Sequence, residues 1–216
     1  MDCIFENGVL SGSSYNGQMD PVEFEVRRTN AEFHYKMFLQ ALGYSVEKDP
    51  NMQDSPRRVT KIFMEELLSG TYTPKPKVTT FPNSNQYTGI VFEGPIKGLG
   101  MCSHHLLPII SEIFVGYIAG ETIIGLSKLN RICQWIAARP TLQENMTSKI
   151  HEELDSILKG NQGVAVYIRG EHECVRLRGV RDYSSVMITS KLSGVFLDKS
   201  DTAKQEFLQM VEGARK

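Results

Sequence analysis

The stretch IISEIFVGYIAGETIIGLSKLNRICQWIAARP, residues 109–140, decides the fold. Its first half is rich in β-branched and aromatic residues, giving strands over 109–118 and 122–126 joined by a turn at Gly120. Its second half changes period. Leu129, Ile132, Cys133 and Ile136 recur at three- and four-residue spacing and form the apolar stripe of a helix. A second helix follows, striped by Met146, Ile150, Leu154, Ile157 and Leu158, and Gly160 ends it. Strands return at 164–169, 173–177 and 186–190, and a last helix covers about 202–212. From residue 109 the order is strand, strand, helix, helix, strand, strand. That order specifies an α+β fold: an antiparallel four-stranded sheet with two helices on one face.

Upstream, residues 73–82 are broken by prolines, and a short strand is expected at 89–92. Two helices precede them. Asp20, Pro21 and Glu23 read as N-cap, first-turn proline and capping-box partner of a helix running towards Gly43. Ser55 and Pro56 open a second, striped by Val59, Ile62, Phe63 and Leu67 and stopping at Gly70. Residues 1–19, rich in Gly, Ser and Asn without periodicity, read as a flexible arm. The expected organisation is an arm over 1–19, a helical hairpin over 20–72 and a main domain over 73–216.

Composition narrows the function. With 216 residues, 41% of them hydrophobic, the chain can bury a real core. A formal net charge of −1 argues against sequence-independent nucleic-acid binding, which needs a basic surface, so any anion site must be local. No apolar run approaches the roughly 18 to 20 residues that span a bilayer, and the N-terminus lacks a secretory layout. A cytoplasmic protein is expected. Four scattered cysteines, Cys3, Cys102, Cys133 and Cys174, do not make a disulfide framework.

Cys102 and His105 stand three apart in MCSHH, and Cys174 lies in EHEC near the far end of the expected sheet. Thiolate and imidazole favour zinc over harder cations, and three protein ligands leave a tetrahedral position for water, the mark of a catalytic site. Such a site lowers the water's pKa to about 7. Cysteines are more often small buried hydrophobes, which is how Cys133 on its helix stripe and Cys3 in the arm are read. Three of five histidines, His104, His105 and His172, cluster with the other two cysteines. His104 and His172 remain as candidates for proton transfer, or for orienting a ligand. His34 and His151 read as helix-surface residues.

Cations are grouped near these segments. Ser127 is placed to cap a helix whose Lys128 and Arg131 share one side, and a helix start favours phosphate. Arg176 and Arg178 alternate in the expected strand on the face of Cys174, and Arg58 and Lys61 lie three apart on the second upstream helix. Such pairs are usually solvated faces. Grouped beside the metal segments of a near-neutral chain, they point to a polyphosphate. Gln143 and Glu144 begin the second central helix, where Glu144 either complements the dipole or receives two N–H donors from a guanine edge.

The strings CSHHLLP (102–108), GLSKLNRI (125–132), RPTLQEN (139–145) and HECVRLRG (172–179), with DSPRRVTK (54–61), resemble the signatures of GTP cyclohydrolase I in order and spacing. The resemblance covers most of residues 30–212. It implies the T-fold in ββααββ order, a toroidal homodecamer with active sites between subunits, and one zinc ion per subunit held by Cys102, His105 and Cys174. It also implies proton transfer by His104 and His172 and guanine recognition by Gln143 and Glu144. Ser127, Lys128, Arg131, Arg178, Arg58 and Lys61 would hold the triphosphate. The implied reaction hydrolyses GTP at C8, releases formate and rearranges the rest to 7,8-dihydroneopterin triphosphate. The family usually has Glu where Ser103 stands and Arg where Asn145 stands, which alters charge but removes no assigned ligand. A related T-fold nitrile reductase needs a nucleophilic cysteine and no zinc, so the Cys, His, Cys triplet counts against it. A silent zinc- or GTP-binding scaffold is disfavoured by retention of both proton carriers. A regulatory partner is left open.

Overall fold

Each neighbour of the central strand, residues 108–118, pairs with ten of its eleven residues, and this strand organises the sheet. The computed structural model describes residues 4–5, 9–10, 19–198 and 202–215. It falls into two compact units, residues 1–74 and 75–216.

In the first unit, strands β1 (Ile4–Phe5) and β2 (Val9–Leu10) pair antiparallel inside the span expected to be an arm; the rest of that span before Met19, Cys3 included, lies outside the described residues. Helix α1 is Pro21–Ala41. Asp20 caps it, its Oδ1 accepting from the N–H groups of Val22 at 2.8 Å and Glu23 at 3.3 Å. The Glu23 carboxylate turns to Arg27 instead of closing a capping box. Helix α2 (Ser55–Lys61) packs against α1 and runs into a π-helical turn, Ile62–Leu67, and a short helix α3, Ser69–Tyr72. Asp54 occupies the cap position expected for Ser55, which is the first helical residue.

The second unit is built on a five-stranded sheet. Its strands are β4 (Ile90–Cys102), β5 (Pro108–Ile118), β7 (Pro140–Thr141), β8 (Gly163–His172) and β9 (Met187–Leu192), in the spatial order β7-β4-β5-β8-β9. Only the short β7 runs parallel to its neighbour. A separate ribbon joins β3 (Thr80–Pro82) to β6 (Thr122–Ile124). Helices α4 (Leu126–Ala137) and α5 (Gln143–Ile157) supply the central pair, α6 (Glu173–Arg176) follows β8, and α7 (Thr202–Ala214) closes the chain.

The period of two sorts the strands' side chains between two cores. Ile113, Val115 and Tyr117 of β5, with Val164, Val166 and Ile168 of β8, meet Leu129, Ile132, Cys133 and Ile136 of α4 and Met146, Ile150 and Leu154 of α5. Phe114 and Ala165 point the other way, onto Phe196, Phe207 and Val211. Both faces of the sheet are therefore covered, the second by α7 and the turn before it.

Several expectations change. The sheet has five strands where four were expected. The strand expected at 89–92 extends to Cys102, through a bulge between Glu93 and Ile96. Glycines and Pro95 hide it in the sequence, yet Gly100 is needed there: a Cβ would sit 2.7 Å from the Ala137 carbonyl oxygen. The strand expected at 173–177 is helix α6. Pairing of β8 with β5 ends at Ile109↔His172, and the next residue of β5 is Pro108, which has no N–H to offer. Gly125, not Ser127, precedes α4; Ser127 is its second residue. His151, expected on a helix surface, is buried and lies 3.0 Å from Ser193 Oγ. Among the described residues, no helix is long and apolar enough to cross a membrane.

Candidate functional site

Three strand ends meet at one edge of the second unit. Cys102 closes β4 and is buried, and its carbonyl accepts from the N–H groups of His105 and Leu106, curling the chain into a tight turn before β5. Cys102 also pairs with Thr141 of β7, which brings the start of α5 alongside. On the other side, Ile109 pairs with His172, the last residue of β8, and α6 then carries Cys174 back over the turn.

The result is a compact donor set. Candidate ligand atoms of Cys102, His105 and Cys174 all lie within 4.8 Å of one another, the one such His, Cys, Asp or Glu group among the described residues. The Cys102 sulfur lies 3.9 Å from Nδ1 of His105 and 4.0 Å from Nδ1 of His104. The other ring nitrogen of His105 meets an Arg178 Nη1 at 2.7 Å. Burial pushes the Cys174 thiol above its usual range, and the adjoining Cys102 adds to it while Arg178 opposes it. Two neighbouring thiols resist joint ionisation, a cost that a divalent cation between them removes. Two soft sulfurs and an imidazole suit zinc by donor chemistry. By contrast Cys133 is fully buried and its thiol is pushed up to about 12, first by burial and then by Glu93. It is a core residue.

The remaining predicted residues are placed as follows. His172 is half-buried, and burial lowers its pKa while Glu144 opposes that shift. Its Nε2 lies 2.8 Å from Gln143 Oε1. Gln143 is only 1% exposed, whereas Glu144 is open at the first turn of α5. On α4, Ser127 and Arg131 are exposed and Lys128 partly so, away from the buried stripe. Arg58 and Lys61 belong to α2 of the other unit, facing Asp54 at 3.4 Å and Glu65 at 3.9 Å. Arg176 does not share the Cys174 face as a strand residue would. Its Nη1 donates to Glu171 at 2.7 Å and Glu173 at 2.9 Å.

That last arrangement was not read from the sequence. Glu171 also accepts from Arg169 at 3.1 Å, so one carboxylate bridges β8 to the last residue of α6. The alternation of charge in RGEHECVR was its one visible signal. Gly170 and Thr189, which shape the surroundings of Gln143, carried none.

The family model described as GTP cyclohydrolase I matches residues 31–212. A GTP cyclohydrolase 1 of Flavobacterium johnsoniae is 40% identical over 175 residues, covering 81% of this chain and 77% of that one. One from Haemophilus ducreyi is 36% identical (86% and 84%), and one from Yersinia enterocolitica is 37% identical (88% and 86%). Archaeosine synthase QueF-Like in its apo form aligns with 50% of this chain and 96% of its own, at 14% identity and a TM-score of 0.42, a likeness too slight to carry weight. Together the sheet with its helices and the cluster of two cysteine sulfurs and an imidazole define an α+β protein with a candidate metal centre at a sheet edge. The chain belongs to the GTP cyclohydrolase I family.

Proposed function

We propose that this protein is a zinc-dependent GTP cyclohydrolase I that hydrolyses GTP at C8, releases formate and rearranges the remainder to 7,8-dihydroneopterin triphosphate. The observation that carries the reading is the convergence of Cys102, His105 and Cys174 beside His172 and the first turn of α5, inside the segment that the family model matches. Zinc held by those three residues supplies a Lewis acid and a water of lowered pKa.

The chain's own side chains do the rest. Glu144, open at the start of α5, accepts the two parallel N–H groups of a guanine edge, a planar bidentate match. Gln143, assigned to the base pocket by the resemblance, is the first residue of α5 and so fixes where this neighbour stands. His172, kept neutral by burial, takes and returns a proton at the opening ring, and His104 serves the second transfer. Lys128, Arg131 and Arg178, with Ser127, Arg58 and Lys61, hold the triphosphate. Arg178 already stands at the metal edge against His105.

The same reading assigns the second unit to the T-fold in ββααββ order. The arm (1–19), the helical hairpin (20–72) and the catalytic domain (73–216) are supported by the separate packing of 1–74 and 75–216 and by the α1–α2 contact. It further implies a cytoplasmic homo-oligomer, a decamer with sites completed between subunits, and no nucleic-acid partner.

The test is formate release from GTP and dGTP by metal-replete protein, with zinc counted per chain. Stoichiometric zinc, formate and a pterin that fluoresces after oxidation are expected. Zinc-loaded protein that binds GTP yet yields no formate would make the chain a scaffold.

A further inference from the structure

The amide of Gln143 can be oriented from its partners alone. Its Nε2 lies 3.0 Å from the Met187 carbonyl oxygen, 3.3 Å from that of Ile168 and 3.1 Å from Thr189 Oγ1. Peptide carbonyls only accept, so the NH2 end must face them; a flipped amide would set oxygen against two carbonyl oxygens. The hydroxyls agree. Thr147 Oγ1 donates to the Gln143 carbonyl at 2.8 Å, which leaves the Thr189 hydroxyl to donate to Thr147 at 2.6 Å and to accept from Gln143.

Oε1 is thereby fixed on His172, 2.8 Å from its Nε2. An amide oxygen cannot donate, so Nε2 carries the hydrogen. A neutral imidazole has one N–H, and its lone pair is then at Nδ1. The strand alternation puts Gly170 and His172 on the face of Val164, Val166 and Ile168, towards α5. A Cβ at Gly170 would come within 2.1 Å of Gln143 Oε1, so the slot for the amide exists only because residue 170 has no side chain.

We infer that Gln143 is a positioning residue: it holds His172 as the Nε2–H tautomer, presents Nδ1 to the substrate as the proton-accepting atom, and makes no side-chain contact with guanine. With 1% of its surface exposed, its amide is out of reach of a base, and Glu144 is left to read the guanine edge. The substrate step rests on the proposed cyclohydrolase reading. The tautomer does not.

The experiment has two arms on the full chain. The first is 15N NMR of histidine-labelled parent protein at fixed pH, with His172 assigned by its loss in His172→Ala. A hydrogen on Nε2 and a bare Nδ1 are expected; a hydrogen on Nδ1 overturns the inference whatever the enzyme does. The second compares Gln143→Met and Gly170→Ala with parent. Both are expected to lower kcat by about 100-fold or more, the scale of a misplaced proton carrier, with the GTP Kd of zinc-free protein within threefold. A Kd raised tenfold with kcat preserved would make Gln143 a guanine contact and overturn the inference. Thermal unfolding of each variant identifies misfolded protein. Parent protein without formate release would defeat the functional reading and leave the NMR arm decisive for the tautomer.

Discussion

Removing the Glu171 carboxylate should weaken zinc binding without touching a ligand. Glu171 ties Arg176, the last residue of α6, to β8 at 2.7 Å and is itself backed by Arg169 at 3.1 Å. Cys174 lies inside the loop so closed. Buried hydrogen bonds to charged groups contribute about 1.5–3 kcal/mol each, whereas exposed ion pairs contribute about 0.2–1 kcal/mol. The Arg176 and Glu171 side chains are 25% and 33% exposed, between these cases. The Arg176 arm is therefore worth about 1–2 kcal/mol to the closed α6 turn. Roughly 1.4 kcal/mol is a tenfold change, so Glu171→Ala should raise the zinc Kd about tenfold, the lower end for losing an orienting partner. Competition against a chromophoric chelator at fixed pH measures it. Arg176→Ala, which also gives up the 2.9 Å pair with Glu173, should weaken zinc at least as much, and the double variant should be no worse than Arg176→Ala alone. Glu112→Gln, which weakens the 2.8 Å pair with Lys97 and the 3.8 Å contact of Arg169 but leaves Glu171 and Arg176 in place, is the control and should stay within twofold. A Glu171→Ala protein with parental zinc affinity would refute the clamp.

His172→Ala should keep zinc and GTP binding while kcat falls by about 10² to 10⁴ in steady-state assays. Arg178→Ala should weaken GTP about tenfold by calorimetry and leave guanosine unchanged, as for loss of one charge-assisted contact; equal weakening of both would remove Arg178 from the phosphate site. Phe207→Ala, emptying a fully buried position against Phe92 and Phe196, should cost about 3–5 kcal/mol in denaturant unfolding. His151 is held below its usual pKa first by burial and then by Lys191, with Asp155 and Glu152 opposing. The fold thus favours neutral imidazole, and the unfolded chain takes up the proton first. Its contribution is present above the unfolded value of about 6.5 and is lost as pH falls from there through the lowered folded pKa. His151→Gln should flatten this part of the stability profile relative to parent.

The donor set and the main helices were legible because each announces itself locally. A thiol and an imidazole three residues apart, or a stripe at helical spacing, needs no knowledge of distant chain. β4 was largely illegible, since its glycines and proline erase alternation and only the approach of Ala137 explains Gly100. Residues 173–177 alternate well enough to pass for a strand. What makes them helical is that β5 runs out of N–H donors at Pro108.

The sequence alone determined the α+β class, the two central helices and the choice of candidate sulfur and nitrogen donors, because periodicity and residue chemistry are properties of short segments. Only the tertiary structure decided that Gln143 faces His172 and not solvent, that Arg176 clamps α6, and that His151 is buried. These depend on which strand ends meet, a matter of register between residues far apart in the chain, and register leaves no mark in local composition.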